Sequence, residues 1–154
     1  MRRLTCCFTG HRVIYKEDAK IIENDLADII ESLIKEGLIY FGVGGALGFD
    51  MYAAETVIEL KKKYPSIRLI LVLPCREYDK FWTDSQKERY TEIKKSSDKV
   101  LYTEEDYFPG CMQKRNRHLV DHSSVCVAYV RKMTGGTAYT VNYALKQGLK
   151  LINI

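Results

Sequence analysis

The chain has 154 residues, 46% hydrophobic and 29% charged, with a formal net charge of +4 from 24 basic and 20 acidic residues. That length and balance fit one globular domain with a single core, and the mild charge admits anionic ligands without demanding nucleic acid. No apolar run approaches the ~20 residues of a membrane-spanning helix, and five cysteines without a C-x-x-C pair fit neither a disulfide framework nor a zinc site.

The start, Met1-Arg2-Arg3-Leu4, is basic but has too short an apolar stretch for a secretory signal, which places the chain in the cytoplasm. Residues 4–9 form a short apolar run ending in Gly10 and read as the first strand. Residues 18–36 carry Ile22, Leu26, Ile29, Ile30, Leu33 and Ile34 at helical spacing. Glu17 and Asp18 suit the positive end of that helix, and Gly37 stops it. Residues 38–43 are a second strand, followed by a Gly-rich turn and a helix over 50–63 that Pro65 cannot continue. Residues 67–73 are the third strand, closed by Pro74. Residues 81–96 read as a polar helix and 99–102 as a short strand. The acidic stretch 103–110, ending in Pro109-Gly110, reads as a surface loop or lid. A helix over 112–122 follows, then a strand over 125–130 that is apolar throughout, the mark of burial on both faces. A helix over 137–147 and a strand over 149–154 complete the chain. Cys6, Cys7 and Cys126 fall in these apolar strands and read as core packing.

Strand and helix therefore alternate from end to end. The pattern predicts one α/β domain over residues 1–154, a Rossmann-like three-layer sandwich with a mostly parallel sheet and helices on both faces. A sheet domain this small has apolar helix faces to cover, and a homodimer is the expected form of any self-association.

In such a sheet the ligand sits beyond the carboxyl ends of the strands. Thr9-Gly10-His11-Arg12 follows the first strand, and Gly44-Gly45-Ala46-Leu47-Gly48-Phe49-Asp50 the second. Pro74-Cys75-Arg76 follows the third, and Arg131 to Thr137 the fifth. Small, polar and basic residues converge on one edge. A glycine turn leading into a helix presents N–H groups to an anion. The turns of Gly44, Gly45 and Gly48, and of Gly135, Gly136 and Thr137, thus read as two phosphate cradles, with Arg12 as a bidentate partner. Asp50 either caps its helix or accepts a hydrogen bond from a ribose hydroxyl. Trp82 and Tyr78 either stack on a base or anchor a helix. His118 and His122 stand at i and i+4 beside Asp121, but no third ligand presents itself and no metal is assigned. The expected ligand is a nucleotide-type small molecule.

Gly44-Gly45-Ala46-Leu47-Gly48-Phe49-Asp50 resembles the G-G-A-x-G-x-D loop of the DprA/LOG superfamily, often called SLOG. Arg115-Asn116-Arg117-His118-Leu119-Val120-Asp121-His122-Ser123 looks like its R-N-R-x-[IL]-[VA]-x-x-S helix. The next strand, with Gly135-Gly136-Thr137-Ala138-Tyr139-Thr140, looks like its third element. Thr9-Gly10-His11-Arg12 and Phe81-Trp82 point to the YpsA-like branch. The resemblance covers nearly the whole chain in the right order. It implies a Rossmann-like fold and a nucleotide-derived ligand at the strand ends. Carried over residue by residue, the implied binding set is Gly10, Arg12, Gly44, Gly45, Gly48, Asp50, Arg115, Asn116, Gly135, Gly136 and Thr137. Arg115 and Asn116 would orient the loops and meet the anionic part, or Arg115 would pair with Asp50 or a neighbouring loop. His11 and Trp82 complete the candidate set.

Three functions stay open at this point. Superfamily phosphoribohydrolases carry a pattern resembling P-G-G-x-G-T-x-x-E with the glutamate in the active site. Here Ala138, Tyr139, Thr140, Val141 and Asn142 follow Thr137 with no acid among them. That departure favours a binding or sensor domain over a nucleoside-monophosphate N-glycosidic hydrolase. For a hydrolase, Asp50 and Asp121 are the nearby carboxylates available for acid–base work. The third function is a single-stranded DNA-binding module, as in the DprA branch, with Lys114, Arg115 and Arg117 in a basic groove. The modest charge and the lack of a long basic stripe interleaved with aromatics weigh against it. No cofactor is assigned beyond the nucleotide-derived ligand.

Overall fold

Six strands and five helices alternate along residues 1–154, all of which the computed structural model describes. The strands are β1 (Thr5–Gly10), β2 (Tyr40–Val43), β3 (Arg68–Leu73), β4 (Lys99–Tyr102), β5 (Val125–Tyr129) and β6 (Lys150–Asn153). The helices are α1 (Ala19–Lys35), α2 (Phe49–Lys61), α3 (Asp84–Ser96), α4 (Cys111–Asp121) and α5 (Gly136–Lys146). Every strand pairing is parallel, in the order β4-β3-β2-β1-β5-β6. No helix is long and apolar enough to cross a membrane.

Side-chain parity along the strands sets the layers. Cys6 and Phe8 of β1 join a cluster of 23 buried residues with the inner faces of α1, α2 and α3. Cys7, one residue out of phase, joins a cluster of 7 under α4 and α5. The helix α1 contributes Ile22, Leu26, Ile30 and Leu33, a stripe at the 3.6-residue period. It ends as its sequence requires. The Leu38 N–H reaches the Leu33 carbonyl at 3.1 Å and the Gly37 N–H reaches the Ile34 carbonyl at 3.0 Å, with Gly37 at φ 105°.

The strand order decides where a ligand can sit. From β1 to β4 the chain steps steadily outward, then returns so that β5 lies on the other side of β1. Right-handed crossovers put the first three helices on one face and the last two on the other. The crossovers diverge between β1 and β5, and a crevice opens beyond their carboxyl ends. Gly10 pairs with Tyr129, so both strands stop level.

Several boundaries differ from the sequence reading. The polar helix expected over 81–96 starts at Asp84. Thr83 accepts from the Gln86 N–H while the Gln86 side chain returns to the Thr83 N–H, and this capping box sets the start. Phe81 lies outside the helix, 90% exposed. The first helix starts at Ala19, after a single 3-10 turn. Asp18 does not cap it. Its carboxylate instead accepts from the Tyr129 hydroxyl at 2.7 Å and Arg131 Nε at 3.2 Å, tying the helix start to the end of β5. The second strand starts at Tyr40, because Leu38 is spent on the helix stop; Ile39 leads into the strand, donating to the Leu4 carbonyl and accepting from the Arg68 N–H. All five cysteines are buried, Cys75 and Cys111 included.

Candidate functional site

A cavity of about 330 Å³ occupies the crevice between β1 and β5. Gly10, His11 and Arg12 reach it from the end of β1, and Asp50 from the first turn of α2. Arg115 and Asn116 reach it from α4, Gly136 and Thr137 from the start of α5. Four separate chain segments thus deliver eight of the expected residues to one place.

Gly44, Gly45 and Gly48 do not line it. A Cβ on Gly45 would stand 2.5 Å from Leu73 Cδ2, and one on Gly44 2.8 Å from the Arg115 guanidinium. These glycines let the loop after β2 pack inward. Nor is the start of α2 free to cradle an anion. The Asp50 carboxylate accepts the Ala46 N–H at 3.1 Å, and the His11 carbonyl accepts the Phe49 N–H at 3.1 Å. Of the two cradles expected from the sequence, this one is filled by the protein itself.

The start of α5 is different. The N–H groups of Gly136 and Thr137 bond nothing in the protein, and Tyr139 is the first to bond back, to the Gly135 carbonyl. Gly135 sits at φ 92°, a conformation that explains its glycine without a ligand, and it stands outside the cavity wall. Gly136 has an ordinary φ and open space on its Cβ side. Nothing in the fold requires a glycine at 136, yet Gly136 and Thr137 line the cavity with two N–H donors left unbonded.

The cavity floor is a buried charge pair in the making. Arg115, 3% exposed, donates through Nη1 to the Gly44 carbonyl and through Nε to Asn116 Oδ1 at 2.7 Å. Asp50 lies beside it, 6% exposed. Burial pushes the Asp50 carboxyl up from 3.8 to about 6, while Arg115, the Ala46 N–H and Arg12 pull it down. The folded protein therefore holds this proton more tightly than the unfolded chain. Its contribution to stability is full below pH ~4 and is lost as pH rises through about 6. Asp50→Asn is expected to remove that slope, worth about 3 kcal/mol between the two limits, in urea titrations across the same range. An unchanged pH dependence in the variant would show that Asp50 stays ionised throughout.

His11 is a structural pin. Its Nε2 accepts the Arg131 N–H at 2.7 Å, and its ring stands edge-on to Tyr129 at 5.4 Å. Burial and the nearby Lys132 and Arg131 lower its pKa, so it stays neutral and its acceptor nitrogen is already engaged. Arg12 is exposed at the mouth, with Nη2 3.3 Å from the Tyr78 hydroxyl and 3.7 Å from Met112 Sδ. It has no carboxylate partner within ion-pair distance. The mouth thus holds an uncommitted cation, a threonine and two free N–H groups, a donor set for an anion.

Two expected residues lie elsewhere. Trp82 packs edge-on against Tyr78 and Tyr90, ring centroids 5.2 and 5.1 Å away, and anchors the segment before α3. Asp121 is at the far end of α4, at the opposite edge of the sheet, where the Tyr143 hydroxyl donates to it at 2.7 Å. Both lie on α4, but Asp121 stands roughly 9 Å further along the helix than Arg115 and does not line the cavity. The imidazoles of His118 and His122 stack 4.2 Å apart at that same far end. Of the basic residues expected in a groove, Lys114 pairs with Glu104, Arg117 donates to the Tyr139 hydroxyl at 3.2 Å, and Arg115 is buried. Sequence reading missed Met112 and Gln113, which also line the cavity. The signal was present, since the first turn of a helix that precedes a parallel strand begins at the ligand edge.

A family model described as the YspA SLOG family, YpsA, matches residues 6–151. The prophage-derived protein YoqJ of Bacillus subtilis is 37% identical over 138 residues, 81% of each chain. A UPF0398 protein of Halalkalibacterium halodurans is 32% identical over 77% of this chain and 64% of its own length. Among solved structures, DNA processing protein A from Helicobacter pylori, described in a single-stranded DNA binding mode, aligns at TM-score 0.70 and 22% identity, over 99% of this chain and 65% of that one. The Streptococcus pneumoniae protein aligns at 0.71 and 20%, over 97% and 49%. The chain spans about half to two thirds of those structures, and the likeness is one of fold.

Proposed function

The chain belongs to the YspA SLOG family, and from that premise we propose that it binds a nucleotide or nucleotide-derived ligand in the cavity between β1 and β5. One observation carries the reading. Gly136 is a glycine that packing does not need, at a helix start whose donors are unused, across from an uncommitted Arg12. A ligand phosphate explains all three.

The test is a thermal-shift and calorimetric panel of nucleoside monophosphates, dinucleotides and ADP-ribose, run on the native chain, Arg12→Ala and Gly136→Val. A Cβ at position 136 meets no protein atom within 4 Å, so the stability of Gly136→Val is expected to change by less than ~0.5 kcal/mol. A ligand at a hundred times its dissociation constant adds about 2.7 kcal/mol to the native chain, and both variants lose that gain. No shift with any compound at millimolar concentration overturns the reading. Oligonucleotide binding with steep salt dependence would replace it with single-stranded DNA binding.

A second reading, N-glycosidic hydrolysis, is favoured by Asp50. A carboxyl that lines the cavity and titrates near 6 suits proton transfer at neutral pH. Release of free base from a nucleoside monophosphate, lost in Asp50→Asn, would establish it. Recovery of intact ligand would leave a binding domain.

A further inference from the structure

A second cavity, about 810 Å³, adjoins the first. It lies between the segment that follows β3 and the loop that follows β4. Met112 lines both cavities, and Arg12, on the wall of the first, reaches Tyr78, on the wall of the second, at 3.3 Å. The two cavities therefore share a wall built from Met112, Arg12 and Tyr78. The loop after β4, expected as a surface loop or lid, is tied in place as a wall. The Arg76 N–H donates to the Glu105 carbonyl at 3.1 Å, and Arg76 Nε pairs with the Glu105 carboxylate at 2.9 Å.

Two aromatic side chains on this wall stand largely in water. Phe81 is 90% exposed, with Lys80 Nζ 5.5 Å from its ring centroid, and Tyr107 is 64% exposed; they come from different segments that both line this space. Large aromatics left in water beside a concavity are the usual means of holding a flat ring. The charges divide the two cavities. The second carries Glu77, Glu105 and Asp106 against Arg76 and Lys80, and Arg76 is already committed to Glu105. That balance repels a phosphate and suits a neutral ring bearing N–H donors. The first carries Arg12 and Arg115 against the single Asp50 carboxyl, together with the free N–H groups of α5, a balance that suits the anion.

We infer that the two cavities form one compound site, with the phosphate-bearing part of the ligand beside Arg12 and Gly136 and its base stacked between Phe81 and Tyr107. The inference rests on the nucleotide reading above and adds to it the place and chemistry of the ring. It also favours a small ligand over a nucleic-acid strand. A strand laid across both cavities would carry a phosphate past the Glu77 and Asp106 carboxylates, which have no cation partner.

The test compares ribose 5-phosphate with the four ribonucleoside monophosphates and ADP-ribose, by calorimetry, on the native chain and on Phe81→Ala/Tyr107→Ala. Both residues are exposed, so the double variant is expected to fold as the native chain does, and its circular dichroism and unfolding midpoint check this. The expected result is a loss of about tenfold or more in affinity for the base-bearing compounds that bind, with ribose 5-phosphate unaffected. Equal losses for ribose 5-phosphate would overturn the assignment of the ring to this cavity, as would no loss for any compound. If Arg12→Ala weakens binding while the aromatic variant does not, the nucleotide reading stands and this inference alone falls. If no compound binds the native chain, both fall. If the double variant loses oligonucleotide binding but keeps nucleotide binding, the aromatics serve a nucleic-acid strand and the inference is overturned.

Discussion

Gly48→Val is expected to cost roughly 3–5 kcal/mol of folding stability, the largest single loss among substitutions at the strand ends. Gly48 stands at φ 81°, where an L side chain is already strained. A Cβ there would lie 2.1 Å from the Arg12 carbonyl oxygen and 2.7 Å from that of His11. Neither atom can move cheaply. Both are backbone, and the His11 carbonyl accepts the Phe49 N–H that starts α2. Gly10 is also closely packed, since a Cβ on it would stand 2.4 Å from the Phe49 ring. The end of β1 and the start of α2 thus touch at two glycines, backbone against backbone at Gly48 and backbone against the Phe49 ring at Gly10. Urea denaturation measures the effect, and a loss below ~1 kcal/mol would show that the contact relaxes. The comparison with Gly136→Val is instructive. Two glycines in turns of similar sequence are expected to differ by several kcal/mol, and only the mild variant reports on a ligand.

Arg115→Met is expected to cost about 3–5 kcal/mol, because it leaves buried groups without their partner. The Gly44 carbonyl loses its donor, and Asp50 loses the nearest charge that opposes its burial. The Asp50 carboxyl would then rise further above 6, and the protein would lose more stability toward neutral pH than the native chain does. In the Asp50→Asn background the same substitution is expected to cost less, by ~1 kcal/mol or more, since no buried charge is left behind. The double-mutant cycle measures this coupling. Strictly additive losses would show that Arg115 serves the Gly44 carbonyl and the ligand cavity, independent of Asp50.

Much of the architecture was legible in the residues. The stripe from Ile22 to Leu33 and the uninterrupted apolar run of β5 could serve only one kind of element each. Alternation of such elements admits few topologies once crossovers must be right-handed. The convergence of Thr9 to Arg12, Asp50, Arg115 and Gly136 on one edge follows from the same logic, since each lies just after a strand or at a helix start. Boundaries were less legible where a side chain found a distant partner. Asp18 reads locally as a charge suited to the helix's positive end and instead binds Tyr129, 111 residues away. Trp82, which reads equally as a stacking platform or a helix anchor, is packed against Tyr78 and Tyr90, while its neighbour Phe81 faces the open cavity.

What the residues determined by themselves was the class of fold, the edge where the candidate residues gather and the donor types among them, because periodicity and the chemistry of side chains are local properties. Which glycines packing requires and which it does not was decided only by the tertiary structure. A glycine's role depends on what its absent Cβ would meet, and for Gly45, Gly48 and Gly136 those neighbours are Leu73, Arg12 and open space. The same holds for Asp50 and Asp121, two carboxylates alike in sequence. Burial beside Arg115 raises the one, and the length of α4 carries the other to the far edge of the sheet.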